Sequence, residues 1–148
     1  MEFYPINSGN LSLCVELFRD VFNQPPWNEN WTPEAVLQRL EECLRTPGFY
    51  GLLAQQDDRP VGLALGYCEQ WDGHRHFYLK EMCVAPNQQR SGVGTRLMEA
   101  LEEQLKACGV EKLYLYTARE SGAQHFYEKQ GFYTSPRMIM MAKWLKPD

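Results

Sequence analysis

A single mixed α/β domain is the fold class this sequence predicts, and three observations predict it. Apolar runs of strand length alternate with amphipathic stretches of helix length from Phe3 to Trp144. A length of 148 residues, 44% of them hydrophobic, suits one core, in a domain that buries about 70% of its unfolded surface. No internal repeat, low-complexity tract or linker divides the chain.

The elements follow in order. Phe3 to Ile6 predicts a short strand, and Asn7-Ser8-Gly9-Asn10 supplies turn and cap residues for a helix with Leu11, Val15, Phe18 and Phe22 on one face. Pro25-Pro26-Trp27-Asn28-Glu29-Asn30-Trp31 breaks that helix. Thr32-Pro33 then reads as an N-cap with proline at the first helical position, where a missing N–H costs nothing, and the second helix carries Val36, Leu37, Leu40 and Leu44. Thr46-Pro47-Gly48 ends it. Phe49 to Ala54 and Val61 to Tyr67 form two strands around the short polar connection Gln56-Asp57-Asp58-Arg59-Pro60, which predicts an antiparallel hairpin. Phe77 to Val84 is the next strand, closed by Ala85-Pro86-Asn87. Leu97, Met98, Leu101, Leu105 and Cys108 recur at helical spacing, so a helix starts near Gly94 or Thr95. A strand Lys112 to Thr117, a helix near Gly122 to Gln130 and a final strand within Met138 to Trp144 complete the series.

Composition excludes several function classes. A net charge of −4 without a block of basic residues gives no electrostatic footprint for nucleic acid and favours a cationic partner. Five cysteines at 14, 43, 68, 83 and 108 show no C-x-x-C pair and no metal-like spacing, so they read as free thiols. The start of the chain has no signal-peptide pattern, and no apolar run approaches the ~18 residues of a membrane span. A cytoplasmic protein without a membrane partner is the expectation.

The stretch Gln89-Arg90-Ser91-Gly92-Val93-Gly94 follows a strand directly and opens a helix. The first amides of a helix have no partner within it, the helix dipole is positive there, and glycines let a bulky anion approach the backbone. A phosphate-bearing ligand is therefore expected. Gly94 is followed by Thr95-Arg96, not by the Lys-Ser/Thr of a Walker loop, and Leu97 stands where a dinucleotide fingerprint needs a third small residue. Nucleoside triphosphates and NAD both lose ground.

With Met82-Cys83-Val84-Ala85-Pro86 before it and Ala123-x-x-Phe126-Tyr127-Glu128-Lys129-x-Gly131-Phe132 after it, the glycine stretch resembles the GNAT superfamily of acetyl-CoA-dependent N-acetyltransferases. The resemblance covers most of the chain. It implies the acyl-CoA N-acyltransferase fold, a mixed and mostly antiparallel sheet with helices on both faces, as one domain over residues 1–148. It further implies coenzyme A gripped by Gln89, Arg90, Ser91, Gly92, Val93, Gly94 and Thr95, with main-chain groups of Met82 and Val84 on the pantetheine arm. Tyr127 is implied as general acid beside the coenzyme A sulfur. Glu120 stands where members often carry an asparagine that bonds the pantetheine, which leaves that contact in question.

Acetyl transfer to an amine needs a neutral nucleophile, a polarised carbonyl and a proton for the departing thiolate. Deprotonating an alkyl amine of pKa ~10.4 at neutral pH costs about 4–5 kcal/mol. Glu81 lies inside an apolar strand, sharing a face with Phe77, Leu79 and Cys83 by alternation, where burial raises a carboxyl pKa towards the range of a general base. The structural alternative is a Glu81 paired with a buried arginine or lysine. Tyr127, as a phenol of pKa ~10, can protonate a thiolate of pKa ~8.5; its alternative is a ring packed like Phe126. Cys83 lacks an activating base in its sequence neighbourhood, so direct attack by the amine is expected without an acyl-enzyme.

Trp27 and Trp31, with Glu29 and Glu34, lie in the break between the first two helices, which borders the acceptor groove in this family. They are candidates for holding a cationic amine by cation–π and charge contacts, or alternatively a clasp over the core. Asp72, His74 and His76 form a polar cluster, but without a third well-spaced ligand no metal is expected. The reading is an N-acetyltransferase acting on a primary amine, with a small cationic acceptor favoured and a protein or amino-acid amine as the other choice. A non-catalytic acyl-CoA-binding regulatory module is the alternative. The Met-rich closing segment (Met138, Met140, Met141) adds the expectation of a twofold homodimer.

Overall fold

Strand β1 (Glu2–Pro5) leads into helix α1 (Leu11–Phe22) and helix α2 (Pro33–Leu44) of a computed structural model that describes residues 1–146. Pro147 and Asp148, the end of the expected domain, lie outside the described residues. Three long strands follow: β2 (Phe49–Gln56), β3 (Arg59–Trp71) and β4 (His74–Val84). A 3-10 turn at Pro86–Gln88 precedes helix α3 (Val93–Ala107), strand β5 (Val110–Tyr114) and helix α4 (Gly122–Lys129). The chain divides into two compact units, Met1–Leu115 and Tyr116–Asp148.

In the first unit the five strands lie in sequence order. β1 to β4 pair antiparallel; β5 returns through α3 and pairs parallel with β4. The sheet is thus mixed and mostly antiparallel, as expected. Its faces are set by two-residue alternation. Leu53, Leu63, Leu65 and Cys83 meet Cys14, Leu17, Phe18 and Val21 of α1 and Val36, Leu40 and Cys43 of α2 in one buried cluster. On the opposite face a Cβ at Gly62 would come within 3.2 Å of Leu97 and 3.4 Å of Val93, both on α3. Helices therefore cover both faces, and Gly62 lets α3 settle close to β3.

Two turns explain why the strands outrun their expected lengths. Asp57 and Asp58 both take positive φ, 53° and 61°, which gives the two-residue turn that suits strand twist and extends β2 and β3 to Gln56 and Arg59. Asp72-Gly73 closes the second hairpin, with Trp71 opposite His74, so β4 begins at His74 and not at Phe77. A Cβ at Gly66 would lie 1.8 Å from the Tyr78 carbonyl oxygen, so only glycine fits beside the register shift there: Leu65 faces Glu81 and Gly66 faces Leu79, leaving Lys80 as the extra residue.

Other expectations are corrected. β5 starts at Val110 and ends at Tyr114, earlier than the expected Lys112 to Thr117. No strand is assigned within Met138 to Trp144, although its composition suits one. A strand requires a neighbouring strand for its N–H and C=O groups, and the second unit, taken by itself, offers a helix and no strand.

Candidate active site

The glycine stretch has the geometry of an anion cradle. Gln89, Arg90, Ser91 and Gly92 are exposed, while Val93 is buried and anchors the first turn of α3. Gly92 is the N-cap, in the left-handed region at φ 88°, and Arg90 also has positive φ, 66°. Helix bonding begins with Arg96 N–H donating to the Gly92 carbonyl at 3.1 Å, so the amides of Val93 and Gly94 lie in the turn that has no earlier carbonyl in the helix. No side chain caps this end and no acid lies in its first turn, as is also the case for α1, whereas Thr32 caps α2 and Ser121 caps α4. The loop is fixed from below: Gln89 Nε2 donates to the Val84 carbonyl at 3.1 Å and Ser91 Oγ donates to the Gln88 carbonyl.

Strand β4 delivers backbone groups beside this loop. Ala85 N–H donates to the Val61 carbonyl at 2.9 Å, and Cys83 pairs with Leu63. Hydrogen-bonded residues alternate along an antiparallel pair, so Cys83 shares the phase of Ala85 while Met82 and Val84 turn their N–H and C=O groups away from β3. Gln89 reaches the Val84 carbonyl from that side. The parallel pairing with β5 runs from Arg75 to Tyr78 and stops before these groups. Strand β4 thus runs on past its pairing with β5, with the backbone groups of Met82 and Val84 turned away from β3.

Glu81 is buried on the face that β4 turns to α1 and α2, and it is not alone. Arg39 of α2 donates from Nε to Oε1 at 2.7 Å, and its Nη2 lies 2.5 Å from the same oxygen. Burial pushes the Glu81 carboxyl above the ordinary carboxylate value, and Arg39 draws it back only in part. Burial pulls the Arg39 guanidinium down, but the Glu81 charge outweighs this and leaves it raised. Arg39 was not singled out from sequence; the available signal was a cation three residues after Val36 and next to Leu40 on the core side of α2. Two residues along the strand, burial raises the Cys83 thiol well above its usual value, with Glu81 and Cys14 adding to the effect. Cys14 itself is pushed up to about 12 by burial.

The two tryptophans part company. Trp31 packs edge-on against Phe18, with centroids 5.2 Å apart, and carries the Arg39 guanidinium 5.6 Å from its ring centroid. Asn23 bonds its backbone N–H and carbonyl, Arg19 Nε bonds the carbonyl as well, and its indole N–H donates to Glu29 Oε1 at 3.0 Å. Trp27 is 37% exposed and touches Phe22 with one face. Trp31 is thus a clasp on the core that also lies against Arg39, and Trp27 is the more exposed of the two rings.

In the second unit Ser121 caps α4, accepting from Gln124 N–H at 3.1 Å, and Glu120 takes positive φ, 59°, with its N–H on Gln124 Oε1. Tyr127 is half-buried; its ring meets Phe126 and Phe132 in edge contacts at 5.3 and 5.5 Å, and its carbonyl accepts from Phe132 N–H. The Phe-Tyr pair is thus held by its own helix end. At the far end of the β3–β4 hairpin, His76 is buried between Trp71 and His74, with ring centroids 4.5 Å away on each side. Burial, then His74 and Lys112, lower its pKa. Asp72, His74 and His76 form no group that could hold a metal ion, and no other such group occurs among the described residues. No helix among them is long and apolar enough to cross a membrane.

Comparison with known proteins agrees with this geometry. No curated protein matches the chain in sequence. Among solved structures, an aminoglycoside acetyltransferase, meta-AAC0020, from an uncultured soil metagenomic sample, solved with sisomicin, superposes with a TM-score of 0.76 at 19% identity, covering 98% of this chain and 96% of that one. Aminoglycoside N-acetyltransferase AAC(6')-Iy in complex with CoA gives 0.76 at 20% identity over 96% and 93%. A possible acetyltransferase from Clostridium difficile 630 gives 0.82 at 12% identity over 98% of each chain. At such identities the likeness is one of fold. The Acetyltransferase (GNAT) family matches residues 14–132, which hold most of α1, the β4 strand, the uncapped start of α3 and the Tyr127 segment, and the chain belongs to that family.

Proposed function

We propose that this protein is a single-domain N-acetyltransferase that moves an acetyl group from acetyl-CoA to a primary amine by direct attack. The observation that carries the reading is the juxtaposition on one strand: Met82 and Val84 with outward backbone groups, the uncapped α3 behind Gly92 at the strand's end, and buried Glu81 on the adjoining position. Coenzyme A would supply the acetyl group as an activated thioester. The first turn of α3 at Val93, Gly94 and Thr95, with Gln89, Arg90, Ser91 and Gly92 around it, would hold its pyrophosphate through backbone amides at the helix start, the helix dipole and the Arg90 charge. Met82 and Val84 would bind the arm and orient the carbonyl.

Glu81 takes the proton of the attacking ammonium, directly or through a water, and Tyr127 returns one to the leaving sulfur. Trp27 and Glu29 offer an aromatic face and a carboxylate to a cationic acceptor, with Trp31 acting through Arg39. A small polycationic amine is favoured, because the chain is acidic overall and two of the structural neighbours are aminoglycoside acetyltransferases. Free cysteines suit a reducing compartment such as the cytoplasm. The test is release of coenzyme A thiol from acetyl-CoA with a panel of aminoglycosides, polyamines, amino acids and lysine peptides, beside calorimetric titration of CoA. Binding together with amine-dependent thiol release supports the enzyme. CoA binding with no turnover on any amine identifies a regulatory acyl-CoA-binding module, and no CoA binding removes both readings.

A further inference from the structure

We propose that Arg39 is a positioning residue for the proton-accepting carboxylate: by taking Oε1 of Glu81 with both Nε and Nη2 it leaves Oε2 as the atom that receives the acceptor's proton. The inference rests on the reading of Glu81 as general base.

Both contacts, at 2.7 and 2.5 Å, converge on one oxygen. A fork that engaged both oxygens would satisfy the carboxylate and make it a poor acceptor. Here Oε2 has no hydrogen-bond partner among the described residues, and it is not sealed from solvent. Arg39 is itself held. Its guanidinium lies over Trp31, whose backbone is bonded by Asn23 and Arg19, whose ring abuts Phe18 and whose indole N–H is bonded to Glu29. The ring contact and the doubled contact on Oε1 together favour this placement of the guanidinium over one that takes Oε2.

The same contact sets the charge of the carboxylate. The groups that face Glu81 are Arg39 from α2, Lys80 on its own strand, Glu29 from the segment between α1 and α2, and the thiol of Cys83. Arg39 alone among the cations bonds it. Burial favours the protonated form and Glu29 adds to this; Arg39 opposes both, with help from Lys80. Without Arg39, more of the carboxyl would be protonated at neutral pH and unable to accept. Trp31 thereby acts on the base from the acceptor side, through a cation–π contact and without touching the carboxylate.

The experiment is a 13C NMR titration of the Glu81 side-chain carboxyl, assigned by its loss in Glu81→Gln. Arg39→Gln should raise its midpoint by about 1–3 pH units, the range typical of losing an adjacent opposite charge. Arg39→Lys, which keeps the charge but not the fork, should raise it less, and Trp31→Leu should raise it in the same direction. The acidic limb of kcat/KM for the fastest amine of the panel should move with each midpoint, which a merely structural contact would not cause. Should Arg39→Gln fail to fold, by circular dichroism, the Lys and Trp31 variants decide. An unmoved midpoint in those variants, beside a Glu81→Gln enzyme that has lost its acidic limb, overturns the role of Arg39 alone. A Glu81→Gln enzyme that keeps the parental rate–pH profile overturns the base reading beneath it.

Discussion

Gly92 tests the phosphate cradle most sharply, because the structure separates the two ways a substitution there could act. A Cβ at Gly92 would meet nothing within 4 Å, so alanine creates no clash in the free protein. What it does meet is the backbone: at φ 88° and ψ 0° the residue is left-handed, which costs an L-amino acid about 1–2 kcal/mol. That strain has two places to appear. If the free loop relaxes, as an exposed segment can, stability is unchanged and the cost returns when the loop must close on the pyrophosphate. The CoA dissociation constant then rises by about 5- to 30-fold. If the loop is rigid in both states, affinity is retained and Tm falls by about 2–8 °C. Gly92→Val, β-branched and still less tolerant of positive φ, should exaggerate whichever holds. Calorimetric titration of CoA beside thermal unfolding measures both. Alanine distinguishes a relaxing loop from a rigid one; the cradle reading itself requires that the branched side chain of Gly92→Val obstruct close approach of the pyrophosphate, so a valine enzyme that binds CoA within about twofold of the parent, at any Tm, would refute it.

Tyr127→Phe keeps the contacts to Phe126 and Phe132 and removes the hydroxyl, so kcat should fall by about 10- to 1,000-fold with the CoA dissociation constant unchanged; normal kcat across pH 6 to 9 would reduce the residue to packing. Glu81→Gln should lose most activity near neutral pH, where the amine is protonated, and least at high pH, where it needs no base. The same variant carries a stability sign. Because the folded carboxyl titrates above its ordinary value, its contribution is full below the unfolded value and declines as pH rises through the folded one, so the Gln variant should gain in Tm relative to the parent across that interval. Met138, Ile139, Met140 and Met141, exposed in the second unit, predict a twofold dimer, and a monomeric mass by sedimentation at micromolar concentration would remove it.

What the sequence revealed follows what is local in physics. Periodicity located α1, α2 and α3, since Leu97, Met98, Leu101 and Leu105 or Leu11 and Phe18 mark a face whatever lies across from it. Loop chemistry marked Gly92, because a positive φ at a strand-to-helix junction is a property of a few residues. Strand ends were misjudged where the deciding group was distant: Trp71 and His74 are strand residues only because they face each other across Asp72-Gly73. A two-residue Asp-Gly signal was there to be read. Glu81 stood out as an acid in an apolar strand, yet Arg39 did not stand out as its partner. Forty-two positions separate them, and nothing local distinguishes a cation beside an apolar stripe from any solvated one. Trp31 was ambiguous for the same reason: its indole could have faced a ligand or the core, and only the position of Phe18 decides.

Glu81 and Cys83 stand two residues apart on one face of one strand, and both are potential nucleophiles or bases, so their surroundings must assign the roles. Burial acts on both in the same sense, favouring the neutral form. The carboxyl has a guanidinium within hydrogen-bonding distance to oppose that effect. The thiol has instead the negative charge of Glu81 beside it, which raises it further. A thiol held protonated in this way is a weak nucleophile, since attack on an acyl carbon requires the thiolate. On the proposed function, surroundings that oppose burial at Glu81 and reinforce it at Cys83 favour direct attack by the acceptor amine over an acyl-cysteine. An acetyl group trapped on Cys83 after incubation with acetyl-CoA, detected by mass spectrometry and lost in Cys83→Ala together with turnover, would contradict this assignment at its root.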